Sequence, residues 1–194
     1  MVTLLHLTPA DYQISTWSGG QTTQLFLSPE GGSYPDRTFD FRLSTATVEV
    51  EKSNFTDLTG YHRILMPLNA SIRLTHHHKE VVLNPFQSYF FDGGDPVSSQ
   101  GTCQDFNLIY KPSYQGHMSA ISPKESVKSQ SRYQLIYALC PNPPNSRAPG
   151  DRTSISSSRD DNHVFTPSVW GATDCYLDWT TIMFTKEKHY ERST

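Results

Sequence analysis

Period-two alternation governs the first two thirds of the chain. In Phe39 to Val48, the residues Phe39, Phe41 and Leu43 fall on one face, and Arg42, Ser44, Ala46 and Val48 on the other. Tyr61 to Leu68 continues the pattern, with Tyr61, Arg63 and Leu65 on one side and His62, Ile64 and Met66 on the other. Further strands are predicted over Thr23–Leu27, Ser71–Thr75, Glu80–Leu83, Ser88–Phe91, Asp105–Tyr110 and Tyr133–Leu139. Turn formers separate them, among them Gly19-Gly20, Gly31-Gly32, Gly60, Asn84-Pro85, Gly93-Gly94-Asp95-Pro96 and Lys111-Pro112. Many short strands without a strand–helix–strand rhythm predict an all-β sandwich or barrel.

Two stretches break the pattern. Ser122-Pro123-Lys124-Glu125 has the form of a capping box with proline at the first helical position. Ser126 to Arg132 then offers one apolar residue, Val127, so a helix there would bury almost nothing, and a short turn or loop is expected. Residues 140–163 contain Pro141, Pro143, Pro144, Pro149 and a Ser156-Ser157-Ser158 run, with few apolar side chains. Such a segment cannot bury enough surface to offset the entropy of ordering it, which predicts a flexible loop or linker. Tyr176–Phe184 then reads as a terminal strand. The expected organisation is one β domain over 1–139, a Pro/Ser-rich linker over 140–163 and an atypical C-terminal segment over 164–194.

Charge narrows the function classes. The 194 residues carry 16 Lys+Arg against 19 Asp+Glu, a formal net charge of −3. That balance lacks the basic face that nucleic acid or an anionic membrane surface requires, so neither is an expected partner. No run approaches the ~18 apolar residues of a membrane span, and Met1 to His6 lacks the pattern of a secretion leader. Cys103, Cys140 and Cys175 lie far apart with no C-x-x-C pair. They read as reduced thiols in a cytoplasmic protein and argue against a structural zinc site.

The run His76-His77-His78 is the first candidate for chemistry. On an extended strand only His76 and His78 share a face and could hold one metal ion. A metal-binding cupin places a glutamate four or five residues beyond the second histidine; here Glu80 follows His78 by two, and Val82 and Leu83 are apolar. The favoured reading is a polar hairpin tip joining Ile72–Thr75 to Val81–Leu83, and the alternative is a metal-dependent cupin enzyme using His76 and His78. There is no G-x-S-x-G elbow, and Trp17-Ser18-Gly19-Gly20-Gln21-Thr22 lacks the lysine of a phosphate loop. No catalytic residue and no cofactor are predicted.

Polar residues placed where strands should be half buried carry more weight. Arg42 and Ser44 share a face with Ala46 and Val48, Arg63 sits between Tyr61 and Leu65, and Asp105 and Asn107 alternate with Phe106 and Leu108. A buried charge is costly unless it is paired or meets a ligand. Arginine's planar fork suits a carboxylate, which it grips with two parallel hydrogen bonds. An internal Arg–Asp pair, or faces open to water, would satisfy the same pattern; the arginines would then serve only the fold of an interaction protein.

The same residues carry a family resemblance. Trp17-Ser18-Gly19-Gly20-Gln21-Thr22-Thr23-Gln24-Leu25, Phe41-Arg42-Leu43-Ser44-Thr45-Ala46, Phe55-Thr56-Asp57-Leu58-Thr59-Gly60-Tyr61-His62-Arg63, Phe91-Asp92-Gly93 and Asp105-Phe106-Asn107-Leu108 occur in the order and approximate spacing of the HutD/Ves family. The chain resembles that family over about residues 4–110. The resemblance implies a cupin-like β-barrel, described as two cupin-like halves in one unit, with no established catalysis. It further implies binding of a small carboxylate such as an N-acylated acidic amino acid, formylglutamate among them. The associated role is regulatory, beside histidine utilisation for HutD members and stress response for Ves members. Carried onto this chain, it makes Arg63 the carboxylate anchor. Arg42, Ser44, Asp105 and Asn107 would line the same cavity, with Trp17 and Thr22 at its rim. Gln24 departs from the pattern, because the family commonly has an acidic residue there.

Overall fold

The computed structural model describes residues 2–121, 127–129, 133–139, 152–158, 163–165 and 178–186. In chain order its strands are β1 (Val2–Leu7), β2 (Gln13–Trp17), β3 (Gly20–Ser28), β4 (Phe41–Val48), β5 (Lys52–Asn54), β6 (His62–Pro67), β7 (Ile72–His76), β8 (Lys79–Leu83) and β9 (Tyr89–Asp92). They continue as β10 (Val97–Gln100), β11 (Cys103–Tyr110), β12 (Tyr114–Ile121), β13 (Val127–Ser129), β14 (Tyr133–Leu139), β15 (Arg152–Ser158), β16 (His163–Phe165) and β17 (Asp178–Lys186). The fold is all-β, as the alternation predicts, and a single 3-10 turn at Pro9–Asp11 is the only helical element among the described residues. No helix among them is long and apolar enough to cross a membrane.

A six-stranded sheet, β2-β3-β4-β11-β6-β9, forms the centre, and all its pairings are antiparallel. Its two faces bury different partners. Phe41, Leu43, Ile64, Met66, Phe106 and Leu108 pack against Tyr114, Met118, Leu135 and Tyr137 of the five-stranded sheet β1-β15-β14-β17-β12. The opposite face sets Val48, Leu65, Phe91 and Cys103 against Ile72, Leu74, Leu83 and Val97 of the four-stranded sheet β5-β10-β7-β8. Phe41, Arg42, Leu43 and Ser44 are consequently buried in succession, because β4 lies between two layers. Each fully buried Phe or Leu contributes about 1.5–3 kcal/mol relative to exposure, so the apolar faces carry the fold and the polar side of β4 must be justified otherwise.

A third cluster closes one end, where the Tyr61 ring stacks on Phe39 at a centroid distance of 4.4 Å. The Tyr61 hydroxyl shares its proton between the carbonyls of Arg37 at 2.8 Å and Phe39 at 3.0 Å, pinning the loop before β4 to the start of β6. Tyr61→Phe keeps the stack and loses the bond, and should lower unfolding free energy by about 1–2 kcal/mol in a denaturant titration.

The structure departs from the sequence reading in the second half. Arg152–Ser158, within the stretch expected to be a flexible linker, is strand β15, paired with β1 on one side and β14 on the other. Val127–Ser129, expected as a turn or loop, is β13 and pairs with β16. Backbone hydrogen bonds from neighbouring strands order these segments, and that contribution is independent of side-chain apolarity. The expected terminal strand is β17, which lies between β14 and β12. The capping box Ser122–Glu125 and the prolines between 141 and 149 lie outside the described residues.

Candidate functional site

Arg42, Ser44, Arg63, Asp105, Asn107, Trp17 and Thr22 line one cavity of about 280 Å³. Strand register brings them together. Arg42 on β4 and Arg63 on β6 are both paired with Ile109 of β11, so the two arginines occupy one rung of the sheet, two strands apart. At about 4.8 Å per strand their Cα atoms are about 9–10 Å apart, close enough for both long side chains to reach one small guest. Ser44 and Asn107 form the next rung, and Ala46 and Asp105 the one after. The facing wall comes from Ser53, Asn54, Phe55 and Thr56 at β5, and from Ser99 of β10.

The rim is set by glycine. At the β2–β3 turn Gly20 has φ +148°, and an added Cβ would stand 1.9 Å from the Thr47 carbonyl oxygen. At Gly19 a Cβ would meet the Trp17 ring at 2.1 Å. The Trp-Ser-Gly-Gly sequence thus lets the Trp17 ring lie over the turn at the cavity mouth, 38% exposed.

The Arg42 guanidinium donates from Nε to Gln24 Oε1 at 2.8 Å and from Nη1 to Ser44 Oγ at 3.1 Å, and lies 4.2 Å from the Tyr34 ring centroid. A bulge between Gln24 and Phe26 lets Gln24 pair with Ser44 while Phe26 pairs with Leu43. Gln24 therefore holds Arg42 in place through a neutral amide, and no carboxylate among the described residues forms an ion pair with Arg42.

Arg63 is 4% exposed, donates from Nη1 to the Thr56 carbonyl at 3.2 Å, and lies 4.8 Å and 5.3 Å from the Phe55 and Phe91 ring centroids. Gly93 donates its N–H to the Tyr61 carbonyl at 2.7 Å and accepts from Leu58 N–H at 2.7 Å, which ties the chain beyond Phe91 to the start of β6. An added Cβ there would strike the Leu58 carbonyl oxygen at 2.5 Å. Among the described residues, neither arginine makes an ion pair with a carboxylate.

Burial governs the electrostatics. Desolvation lowers the Arg63 pKa to about 10, opposed by Tyr34 and Asp105 and reinforced by Arg42 and Arg37. It also lowers Arg42, against the field of Tyr34. Both remain cations at neutral pH. Burial raises the Asp105 carboxyl from 3.8 to about 7, opposed by the field of Arg63. Two cations therefore face at most one anion. Arg63 Nε, Asp105 Oδ1 and Asn107 Oδ1 are all buried without a hydrogen-bond partner. Leaving such groups unsatisfied costs about 1–3 kcal/mol each, so a polar guest or ordered water completes the site.

Sequence reasoning missed Tyr34, which carries no alternation signal between Gly32 and Pro35. Phe55, Thr56 and Phe91 fall within the motif blocks, but only the structure sets them around Arg63.

The histidine run is a hairpin tip, as the turn reading has it. β7 and β8 pair from Ile72↔Leu83 to His76↔Lys79, and His77 and His78 form the turn with φ 47° and 64°. The alternative pairing of His76 with His78 is corrected: the turn breaks the extended geometry, and His76 instead lies beside His77, with ring centroids 4.4 Å apart and the planes tilted by 30°. None of these histidines lines the arginine cavity.

Solved structures place the fold. HutD from Pseudomonas fluorescens SBW25, determined in a formate condition, is 21% identical with a TM-score of 0.69, covering 96% of this chain and 100% of that one. A conserved protein of unknown function from Pseudomonas aeruginosa PAO1 is 21% identical with a TM-score of 0.68, covering 94% and 99%. Bacillus subtilis oxalate decarboxylase matches at 8% identity and a TM-score of 0.61, over 94% of this chain and 78% of that one. No curated protein matches the chain significantly. The HutD family model matches residues 9–142, well over half of the sequence. The chain belongs to the HutD family and has the cupin fold.

Proposed function

We propose that this protein is a non-catalytic binder of a small carboxylate metabolite, of the N-acylated acidic amino acid type, with a regulatory or metering role. One observation carries the reading: the Arg63 guanidinium is buried beside an open cavity and makes no ion pair with a carboxylate among the described residues. A charged fork in that state is complementary to a carboxylate. The second arginine on the same rung supports a guest with two carboxylates. Asn107 Oδ1 is a free acceptor that suits the N–H of an acylated amine.

Isothermal titration of glutarate, glutamate and N-formylglutamate, with a neutral diamide as control, tests the reading. Diacids should bind and the diamide should not; absence of heat from every acid would refute it. Gln24→Glu supplies Arg42 with an anion, and should weaken diacid binding by about threefold to tenfold while monoacids change less.

A further inference from the structure

The tip of the β7–β8 hairpin meets the turn between β9 and β10 at three groups with metal-ligating atoms. His76 Nε2 lies 3.0 Å from Asp95 Oδ2, and His77 Nε2 lies 3.2 Å from Asp95 Oδ1. The ligand atoms of the three residues all fall within 4.8 Å of one another. Tetrahedral zinc, with bonds of about 2.0–2.2 Å, sets its donor atoms about 3.3 Å apart, so small side-chain adjustments admit an ion.

The surroundings fit a ligand set. His76 Nδ1 lies 2.9 Å from Tyr89 Oη, the second-nitrogen contact that fixes ring orientation in metal-binding histidines and lets Nε2 present its lone pair. Asp95 Oδ2 also accepts from the Asp92 N–H at 3.2 Å, which holds the carboxylate in place. His77 and His78 occupy left-handed conformations, which cost a residue other than glycine roughly 1–2 kcal/mol and which asparagine or glycine would tolerate better. The strained first position of the turn carries the imidazole that reaches Asp95.

We propose that His76, His77 and Asp95 form a binding site for a divalent transition-metal ion of the zinc, cobalt and nickel class, separate from the arginine cavity. Two imidazoles and one carboxylate suit borderline ions rather than calcium or magnesium, which prefer oxygen. Three protein ligands leave further positions to water or another donor. A neighbouring cavity of about 360 Å³, lined in part by His77, His78 and Thr75, gives such a donor access. Bound metal would fasten the hairpin tip to the β9–β10 turn. The proposed site differs from the alternative of a metal held by His76 and His78, and does not depend on carboxylate binding.

The test is titration of the full chain, free of any histidine tag, with cobalt(II) followed by its visible absorption and with zinc(II) followed by calorimetry. One equivalent should bind and raise the melting temperature. His77→Asn should weaken binding at least about tenfold while the metal-free variant melts no lower than the parent, because asparagine tolerates the turn. Asp95→Asn should also weaken binding at least about tenfold, whereas His78→Asn should change it less than about twofold. Absence of stoichiometric binding, affinity unchanged in His77→Asn, or a loss in His78→Asn equal to that in His77→Asn would each overturn the proposal. His77→Asn alone decides the matter should Asp95→Asn fail to fold.

Discussion

Arg63→Ala is expected to weaken binding of N-formylglutamate by roughly 30- to 1,000-fold, or about 2–4 kcal/mol, the usual effect of removing one partner of a buried charged pair. Two opposing effects decide what happens to the empty protein. The variant loses the contacts of the guanidinium with Phe55 and Phe91. It also loses a desolvated cation that has no ion-pair partner among the described residues. The melting temperature of the ligand-free form should therefore change little, while the rise produced by ligand disappears. Arg63→Lys keeps the charge and loses the bidentate fork, and should bind with intermediate affinity. If Arg63→Ala unfolded the protein and no acid raised the parent's melting temperature, the arginine would be a structural element and the binding reading would fail.

Asp105 should make both stability and binding depend on pH. Its carboxyl is raised from 3.8 to about 7 in the folded chain, chiefly by burial. A raised folded value means that the stabilisation is fully present below pH ~4, is lost progressively as pH rises, and is gone above pH ~7. The loss is on the order of 4 kcal/mol, because each tenfold change in a protonation equilibrium corresponds to about 1.4 kcal/mol. Asp57 and Asp95 are lowered by their hydrogen bonds and act in the opposite direction, so the parent's curve mixes several groups. The difference between the parent and Asp105→Asn isolates the buried carboxyl: chemical denaturation from pH 4 to 8 should show the variant gaining relative stability across that interval. Anion binding follows the same sign. Protonated Asp105 can donate to a carboxylate, whereas ionised Asp105 repels it. Affinity should fall as pH rises from 6 to 8 in the parent and stay nearly level in Asp105→Asn; equal pH profiles for the two proteins would show that Asp105 does not face the guest.

Much of the central sheet is legible in the chain because half-buried strands must alternate. The split of β4 into Phe41 and Leu43 against Arg42, Ser44, Ala46 and Val48 is realised in the structure: the first pair packs on Tyr114 and Tyr133, and the rest line the cavity. β15 and β2 are less legible. Ser154 and Ser156–Ser158 have no apolar signature, yet β15 is paired along both edges. All five residues of β2 are exposed, so no buried face marks it. In both, pairing of N–H and C=O groups defines the strand, and those groups are common to every residue type. The hairpin tip shows the reverse limit. The identity of its residues is evident in the sequence, but the left-handed turn brings His77 to Asp95, which also meets His76.

By itself, then, the amino-acid order determined an all-β chain with two arginines on inward faces, since polar–apolar alternation is a local property and follows from the two-residue pleat. Only tertiary structure decided that Arg42 and Arg63 flank Ile109 on one rung and that, among the described residues, no acidic side chain forms an ion pair with either. Register between strands distant in sequence is set by packing both faces of the central sheet simultaneously. Whether a buried charge is matched depends on which side chains that register brings within reach.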